Sequence, residues 1–507
     1  MIKPTNYPNS TDADITLLLE GTYPFVMGGV SSWVFQLMTS LPQYRFAIIF
    51  LGGKQSDYNK IYYTFPKNLV HFETHYLFDE ESEESDFVID TNNDVTSEIT
   101  ALHNQFNVNS AGSELSKLLQ NELFSKQHLT KEKFLHHQCS WDYITNNYLQ
   151  KCPHIVFPKY FWSVRNMHIA IWKIAAILKK APKTRVLHSI STGYAGFLGA
   201  LMHFEYRYPF ILTEHGIYIR ERRIDLLNQW CGLERQSEYI NAATQEYLTN
   251  MWIRFFEVLG KIAYVAASPI ISLFEAYQKE QIDNGAKKEN TLVIPNGVSI
   301  AHSNFLPRNS INSVSPTIAL IGRVVPIKDI KTFIKSMIIV IRAIPKAHAW
   351  IIGPTNENQE YFDECKEFVN VLGLTENIQF LGQQKIDDFL PKIDLLVLSS
   401  ISEGLPLVLL EGFAAGIPAI ATDVGACREL IYGKSKEDQA LGESGSVVEI
   451  ANPTALGKEI LSFSQDASRW KKAQIAGLER VKRYYSQSHV LENYINVYEK
   501  AFQSWQG

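Results

Sequence analysis

Short runs of apolar and β-branched residues alternate with helical patterns along almost the whole sequence, and this alternation restricts the folds open to the chain. We predict strands at residues 15–20, 45–51, 185–190, 209–214, 263–268, 291–295, 317–322, 347–353, 377–382 and 394–400. Helical periodicity covers residues 164–180, 236–258, 328–343 and the last twenty residues. Strands that alternate with helices typically form parallel, doubly wound sheets with helices on both faces. The sequence therefore predicts an α/β fold.

The length of the chain and one polar segment indicate how it is divided. At 507 residues the chain exceeds what one core typically organises, which predicts two or three domains. Residues 302–316, HSNFLPRNSINSVSP, are rich in Ser, Asn and Pro and carry almost no periodic signal, as linkers do. We therefore expect two α/β domains around one hinge near residue 310. Such a pair would face an interdomain cleft, a common place for a ligand.

The net charge and the cysteines indicate which partners the protein is not expected to bind and in which compartment it would be stable. A formal net charge of −5 and a pI near 6.3 give no basic surface for nucleic acid or anionic lipid. The five cysteines are scattered and form no CxxC pair, which fits a reducing compartment. The N-terminal MIKPTNYPNSTDAD lacks the apolar core of a signal peptide, and residues 405–421 are too short and interrupted to span a membrane. We therefore expect a cytoplasmic protein.

The regular alternation stops between about residues 79 and 140. This segment opens with the acidic run DEESEESD and continues with polar residues and weak helical patterns. A charge run of this kind is typical of a solvated surface. We expect an acidic, solvated insertion in the first domain and assign no chemistry to it.

A pair of glycines, Gly28 and Gly29, follows the first predicted strand in EGTYPFVMGGVSSW, where a helix begins near Gly29. Glycines at a strand-to-helix turn let the backbone approach a ligand, and a helix N-terminus offers free N–H groups to an anion. The pattern is not GxGxxG, so an ordinary tight turn remains the alternative.

Two cations, Arg323 and Lys328, follow the predicted strand TIALIG in the segment GRVVPIKD, where Pro326 stiffens the turn. The carboxyl edge of an open parallel sheet is where ligands bind. An arginine fork and a lysine point charge together suit a diphosphate. The alternative is that both are solvated loop charges.

Two glutamates, Glu403 and Glu411, stand eight positions apart in SEGLPLVLLEGFAAGIPA. Gly404 and Pro406 predict a loop that turns into a helix near Leu405, because proline is favoured in the first helical turn. Glu411 then lies within the helix, and its apolar neighbours predict that it is buried. A buried carboxylate needs partners, which two vicinal ribose hydroxyls would provide. The alternative is an acid that the helix dipole favours.

A histidine, His215, ends another predicted strand in PFILTEHGIYIRERR. A lone histidine is more often structural than catalytic. Because His215 stands at a strand end beside Glu214, the structural role and a functional role are equally open here.

These features, in this order, resemble the retaining family 4 glycosyltransferases of the GT-B fold over essentially the whole chain apart from the insertion. The matching residues are Gly28 and Gly29 of the N-terminal glycine loop, the active-site histidine His215, Arg323 and Lys328 of the phosphate clamp, and Glu403 and Glu411 of the E-x7-E signature. The segments IPNGV at 294–298 and GIPAIATDVGACRELI at 416–431 are also similar to family segments.

The resemblance implies two Rossmann-like domains. An acceptor-side domain would cover residues 1–308 and a nucleotide-sugar-binding domain residues 309–480. The segment 481–507 would form a C-terminal helix that crosses back to the first domain. The base of the nucleotide would meet the loop at residues 382–385.

The resemblance also implies a role for each matched residue. Arg323 and Lys328 would neutralise the diphosphate of a sugar nucleotide, aided by the glycine loop and by the helix start at Gly404 and Leu405. Glu411 would hold the ribose hydroxyls. Glu403 and His215 would lie at the donor sugar, and both belong with the two cations to the expected catalytic set. The resemblance implies retention of the donor's α configuration, and we expect no cofactor and no metal.

Four stretches are similar to one subfamily, the glycosyltransferases of bacterial Pel exopolysaccharide synthesis: LLLEGTYPFVMGGVSSWV, HSISTGYAGFLGAL, TEHGIYIRERR and SISEGLPLVLLEG. This closer resemblance implies a UDP-sugar donor, either UDP-glucose or a UDP-N-acetylhexosamine, and a polysaccharide acceptor. It also implies docking onto inner-membrane proteins of an export complex. Trp33, Phe161 and Trp162 are candidate docking aromatics, although packing is the alternative for each.

Two other functions remain open. A GT-B phosphorylase or sugar-phosphate synthase with a small acceptor would need additional cations, for which Arg220, Arg222 and Arg223 are candidates. A catalytically silent nucleotide-sugar-binding scaffold would be expected to lack a clamp residue, and none of the matched residues is missing.

Overall fold

The computed structural model describes residues 7–79, 95–105, 129–233, 242–300 and 310–505. The chain forms two compact units, one of Met1–Val293 with Ile495–Gly507 and one of Ile294–Tyr494. Residues 302–309 of the expected linker lie outside the described residues.

The first unit is built on a seven-stranded, entirely parallel sheet with the order β3-β2-β1-β4-β5-β6-β7. Its strands are β1 Asp12–Glu20, β2 Phe46–Gly52, β3 Leu69–Tyr76, β4 Lys183–Ser189, β5 Phe210–Glu214, β6 Ile270–Ser272 and β7 Thr291–Val293. Every residue of β2 is buried, as expected of a strand covered on both faces.

The helices of the first unit cover both faces of this sheet. They are α1 Gly29–Ser40, α2 Thr96–Gln105, α3 Lys131–His136, α4 Gln138–Lys151, α5 Phe157–Ile177, α6 Tyr194–Tyr206, α7 Tyr218–Leu233, α8 Ala242–Ala266 and α9 Glu275–Asp283, with short 3-10 helices at Gln55–Asp57 and Lys288–Asn290. The central helix α6 is buried at ten of its thirteen positions and packs against α8.

The second unit contains a six-stranded parallel sheet with the order β10-β9-β8-β11-β12-β13. Its strands are β8 Thr317–Ile321, β9 His348–Ile352, β10 Ile378–Gly382, β11 Leu395–Leu398, β12 Ala419–Thr422 and β13 Gly445–Val448. Its helices are α10 Ile330–Ala343, α11 Gln359–Val371, α12 Leu407–Ala414, α13 Cys427–Tyr432, α14 Lys436–Gln439, α15 Pro453–Gln465 and α16 Ala467–Tyr484, with 3-10 helices at Pro326–Lys328, Ile386–Asp388 and Leu390–Lys392. The final helix, α17, spans Gln487–Ser504.

The predicted α/β fold of two doubly wound parallel sheets is confirmed, but one predicted strand is wrong. Residues 263–268 do not form a strand, because helix α8 continues through Ala266. Alanine is the strongest helix former, and the short apolar run AYVA is a helix segment that buries Tyr264 and exposes Val265. The sequence pattern also missed β3, β6, β12 and β13, of which the last three contain only three or four residues.

The expectation of a solvated insertion is also wrong for the part that the structure describes. Ile99 and Leu102 of α2 are buried in the core of the first unit, together with Leu129 and Phe134. Residues 80–94 and 106–128, which include most of the acidic run, lie outside the described residues. The described helices of this segment therefore contribute to the core.

The order of the strands reverses once in each sheet, and these reversals define where a ligand can bind. In the first sheet the chain moves outward from β1 to β3 and then resumes at β4, on the other side of β1. In the second sheet it moves from β8 to β10 and resumes at β11, beside β8. The crevice outside the carboxyl ends of such strand pairs is the usual ligand site of an open parallel sheet.

No helix within the described residues is long and apolar enough to cross a membrane.

Candidate functional site

The connections after β8 and β11 meet at the reversal point of the second sheet. The N–H of Ile401, after β11, donates to the carbonyl of Ile327, after β8, at 2.8 Å. The hydroxyl of Ser399 donates to the carbonyl of Lys328 at 2.9 Å. These bonds fix the two connections against each other, so that the side chains they carry share one edge of the sheet.

At this edge Lys328 and Glu403, both predicted site residues, form an ion pair. The Lys328 ammonium donates to the Glu403 carboxylate at 2.5 Å, and the Ser400 hydroxyl donates to the same oxygen at 2.5 Å. The two side chains are only 20% and 12% exposed. A cation in so enclosed a position requires an anionic partner, and here Glu403 supplies it.

Arg323 lies on the same connection but in a different environment. Its guanidinium donates to Glu357 at 2.5 Å, and the two side chains are 55% and 48% exposed. An exposed ion pair of this kind contributes little stability, so that Arg323 can exchange Glu357 for another anion at small cost. Glu357 lies 34 positions from Arg323, too far along the chain for a local pattern to indicate it.

The backbone beside Arg323 depends on a glycine of the neighbouring connection. Gly353 has φ +152°, and a Cβ there would lie 2.0 Å from the carbonyl oxygen of Gly322 and 3.3 Å from the N atom of Arg323. Any side chain at position 353 would displace the Arg323 turn. The close approach of these two connections therefore sets the position of the arginine.

The segment between Glu403 and the following helix is shaped by a second glycine. The N–H of Ala426 donates to the carbonyl of Gly404 at 2.9 Å, and a Cβ on Gly425, with φ +52°, would lie 2.2 Å from that carbonyl oxygen. Leu405 is buried. Helix α12 begins at Leu407, two residues later than predicted.

The expectation that Glu411 is buried is wrong, because its side chain is exposed on the outer side of α12. Leu409 and Leu410 form the buried side of the same helix. The surrounding protein still withdraws enough water to raise the pKa of Glu411 to about 7, with a further contribution from the negative charge of Asp387. Asp387 follows the loop predicted to meet the base, whose Gly382 has φ +65° and open space where a Cβ would project.

In the first unit, Gly28 and Gly29 lie exposed at the start of α1. Neither glycine has a φ in the left-handed region, and a Cβ on either would meet no atom of the described protein within 4 Å. The turn and its packing therefore do not require glycine at these positions. The open space leaves the backbone accessible to a ligand.

His215 follows β5 and is enclosed by protein. Its Nε2 is buried and has no hydrogen-bond partner among the described residues. Burial lowers the pKa of His215 to about 4, so that the ring is neutral at pH 7. Trp33 packs edge-on against it with ring centroids 4.6 Å apart. Trp33 thus packs against His215, so that a packing role accounts for this tryptophan better than a role in docking onto partner proteins.

A cavity of about 390 Å³ lies beside His215, at the carboxyl ends of β1, β2, β4 and β5. Glu20, Tyr194, Tyr218, Glu221 and Arg222 line it. Of these five, the sequence patterns singled out Arg222 alone, as a candidate cation for a sugar-phosphate acceptor. The signal available for Glu20 was that it ends the first strand.

Comparison with protein families identifies the chain. Residues 13–289, just over half of it, match the family described as "Domain of unknown function (DUF3492)", and residues 303–479 match "Glycosyl transferases group 1". The chain belongs to the GT-B glycosyltransferases of group 1. The predicted family is thereby confirmed at this level.

Two curated relatives illustrate the range of the family. The chain is 32% identical to the lipopolysaccharide core biosynthesis mannosyltransferase LpsB of Rhizobium meliloti over 35% of its own length and 50% of the relative's. It is 22% identical to the alpha-maltose-1-phosphate synthase of Mycolicibacterium smegmatis over 67% of its own length and 85% of the relative's. The chain thus spans about half the length of the first of these relatives.

Two solved structures share the fold. Anabaena HepE in complex with UDP superposes with a TM-score of 0.58 at 14% identity, covering 96% of this chain and all of HepE. Sucrose-phosphate synthase from Thermosynechococcus elongatus gives a TM-score of 0.56 at 14% identity, over 97% of this chain and all of the synthase.

Proposed function

We propose that the protein is a retaining glycosyltransferase that transfers a hexosyl unit from a UDP-sugar to a growing exopolysaccharide of the Pel type at the cytoplasmic face. The observation that carries this proposal is the enclosed Lys328 at the reversal point of the second sheet, with Arg323 on the same connection. A cation pair at this edge of a parallel sheet suits a diphosphate. The family match to group 1 glycosyltransferases supports it, as does the UDP complex of HepE.

In this proposal each second-unit residue has one task in donor binding. Arg323 and Lys328 bind the diphosphate, and Glu403 holds Lys328 until the diphosphate arrives. The backbone at Gly404 and Leu405 offers N–H groups before α12. Glu411 stands on the exposed side of α12, where its carboxylate is accessible to ribose hydroxyls.

The first unit contributes His215 and the Gly28–Gly29 turn. The neutral imidazole of His215 has a ring nitrogen, Nε2, that lacks a partner within the described part of the chain and can hydrogen-bond a donor-sugar hydroxyl. The glycine turn leaves its backbone open to the donor phosphates. These assignments follow the family resemblance of the two motifs.

The proposed chemistry is a front-face substitution at the anomeric carbon. The bond from this carbon to the diphosphate oxygen breaks while the bond to the acceptor oxygen forms on the same face. The leaving phosphate oxygen takes the acceptor proton, and Arg323 and Lys328 stabilise the negative charge that develops on UDP. The product keeps the α configuration.

We also propose that transfer needs no metal ion, because the two cations supply the electrostatic stabilisation that a metal would give. Transfer should continue unchanged in EDTA. Activity that EDTA abolishes and Mn²⁺ restores would contradict this part of the proposal.

The Pel assignment rests on the sequence similarity to PelF, the cytoplasmic glycosyltransferase of bacterial Pel exopolysaccharide synthesis. We propose docking onto inner-membrane proteins of the export complex through aromatic residues of α4 and α5. Trp162 is 56% exposed, and Trp141 nearby is 48% exposed. Fractionation of cells with and without the partner genes tests this. Protein that stays soluble in both strains, or stays membrane-bound without the partners, would contradict docking.

The direct test of the proposed activity is release of UDP from UDP-glucose or UDP-N-acetylhexosamines when a polysaccharide acceptor is supplied, with a calorimetric panel of the same donors. We expect one donor to bind and to turn over with acceptor. If no UDP-sugar binds, the proposed function is wrong. Donor binding without transfer to any acceptor would favour a catalytically silent scaffold.

A further inference from the structure

The cavity of the first unit has a size and a setting that suit a sugar. It encloses about 390 Å³, within the range of small-molecule sites. Residues at the ends of β1, β2, β4 and β5 form its wall, together with the first turns of α7. All of these residues belong to the first unit, whereas Arg323, Lys328 and Glu411 belong to the second.

One carboxylate in this wall, Glu20, is held in a fixed orientation. The Tyr218 hydroxyl donates to Glu20 Oε1 at 2.7 Å, and the N–H of Ala195 donates to Oε2 at 3.3 Å. Each carboxylate oxygen has a second lone pair that can still accept a hydrogen bond. Burial raises the pKa of Glu20, and both hydrogen bonds act against this shift.

The neighbouring glycine shows how tightly this carboxylate is packed. A Cβ on Gly193 would lie 2.4 Å from the Tyr218 ring and 2.6 Å from Glu20 Oε2. The carboxylate, the tyrosine ring and the turn before α6 therefore form one rigid group. Rigid polar groups in a cavity wall are what fixes the orientation of a bound sugar.

Polar atoms without partners concentrate around the same cavity. Among the described residues, the buried hydroxyls of Thr22, Ser191 and Tyr194 have no hydrogen-bond partner, and neither do His215 Nε2 and Arg222 Nε. A buried polar group without a partner costs about 1–3 kcal/mol. A ligand with several hydroxyl groups would provide partners after small side-chain rotations.

The charges of the wall distinguish between kinds of sugar. Among the described residues, three carboxyl groups line the cavity, those of Glu20, Glu221 and Asp225, and Arg222 is the only cation. Burial raises the pKa of Glu20 and of Glu221, and a negatively charged phosphate group placed among them would raise it further, so that binding of a phosphorylated sugar is disfavoured.

The other two arginines of the RERR segment do not change this balance. Arg220 pairs with Glu280 at 3.2 Å and donates to the Tyr277 hydroxyl at 3.1 Å. Arg223 pairs with Glu257 at 2.7 Å. Neither lines the cavity. The cations that a sugar-phosphate acceptor would need are therefore held elsewhere.

We propose that this cavity receives the acceptor end as an uncharged, hydroxyl-rich hexosyl unit, that Glu20 fixed by Tyr218 orients it, and that the surrounding carboxylates exclude phosphorylated sugars. This inference rests on the proposed transferase function and adds the class of acceptor to it. Glu20 is a specificity-determining residue in this account, since it contacts the acceptor.

The test measures sugar binding by saturation-transfer NMR in the presence of saturating UDP, with methyl β-D-glucopyranoside, cellobiose and glucose 6-phosphate as probes. We expect the two uncharged probes to bind and glucose 6-phosphate not to bind. Glu20→Gln and Tyr218→Phe should each weaken binding of the uncharged probes about tenfold or more. Glu257→Gln, which lies outside the cavity, is the matched control and should leave probe binding unchanged.

A second variant tests the exclusion of charge. Glu20→Gln combined with Asp225→Asn should bring glucose 6-phosphate binding closer to that of the uncharged probes. Wild-type protein that binds glucose 6-phosphate as well as cellobiose would overturn the proposal. Unchanged binding of the uncharged probes in both folded single variants would also overturn it. Failure to bind UDP would instead contradict the proposed function, so that the two failures can be told apart.

Discussion

The two sheets of the molecule present different chemistry at the same topological position. At the reversal point of the second sheet, the connections after β8 and β11 carry Arg323 and the Lys328–Glu403 pair. At the reversal point of the first sheet, the strand ends surround a cavity with an excess of carboxyl groups. One architecture thus offers a cationic edge and an acidic cavity, and function follows from the side chains at the strand ends and not from the fold.

The largest effect that we expect separates the two regions directly. His215→Ala should reduce turnover about a hundredfold or more while changing UDP affinity little, because its proposed partner is the donor sugar and not the nucleotide. Steady-state kinetics and UDP calorimetry on the same preparation measure this split. Equal losses of turnover and affinity would instead indicate that the turn after β5 has a folding role.

The next effect contrasts the two cations of the second unit. Lys328→Ala should lower the free energy of unfolding by about 1–3 kcal/mol, because it leaves the enclosed Glu403 carboxylate without its cation. Arg323→Ala should change it by less than about 0.5 kcal/mol, since the Arg323–Glu357 pair is exposed.

Chemical denaturation of the three proteins is the measurement. Lys328→Ala combined with Glu403→Gln should recover part of the loss, because the unpaired charge is then gone. Equal destabilisation by the two single variants would contradict the difference in environment.

A smaller effect concerns the glycine turn of the first unit. Gly28→Ala should leave the melting temperature unchanged, because a Cβ there meets no atom of the described protein. Donor turnover should fall, by less than in His215→Ala, if the backbone must approach the donor phosphates. Gly353→Ala is the contrasting variant, since its Cβ would collide with Gly322 and should destabilise the protein. Unchanged turnover in Gly28→Ala would remove the glycine turn from the donor site.

The smallest effect depends on pH. Because the pKa of Glu411 is raised to about 7, its carboxylate forms only as the pH rises through this value. UDP-glucose affinity should therefore increase between pH 6 and pH 8 and level off above, and Glu411→Gln should abolish this slope.

The raised pKa of Glu411 also predicts a change of protein stability with pH. Between pH 4.5, the usual carboxyl pKa, and pH 7, the folded state binds more protons than the unfolded state. The contribution of Glu411 to the free energy of unfolding therefore decreases as the pH rises through this range. Glu411→Gln should accordingly raise the melting temperature more at pH 8 than at pH 5.

The residues of the cationic edge could be predicted from the sequence, whereas most of those of the acidic cavity could not. The difference lies in how far apart along the chain the residues of each site are. Arg323 and Lys328 stand five positions apart after a recognisable strand, so that local pattern and the strand-end rule located both. Glu20 is oriented by hydrogen bonds from Tyr218 and Ala195, which lie 198 and 175 positions away in the sequence. Contacts of this kind come from tertiary packing and leave no local signal.

The same distinction applies to Glu411 and to the fold. The apolar neighbours of Glu411 predicted burial, but they line only one side of α12 and leave the glutamate on the other. The parallel sheets were predictable because most of their strands are apolar runs of five or more residues. The strands β6, β12 and β13 contain only three or four residues and are stabilised by hydrogen bonds to neighbouring strands of the sheet. A single sequence does not reveal these strand pairings.

The central claim is that the second unit binds the diphosphate of UDP through Lys328 and Arg323, and calorimetric titration of UDP tests it most directly. The wild-type protein should bind UDP, and Lys328→Ala and Arg323→Ala should each weaken binding by about 1.5–3 kcal/mol, the scale of hydrogen bonds to charged groups. Lys331→Ala is the matched control, because this nearby lysine pairs with Glu364 on the surface. The Lys331→Ala protein should therefore bind UDP with wild-type affinity. Unchanged UDP affinity in both clamp variants would contradict the account.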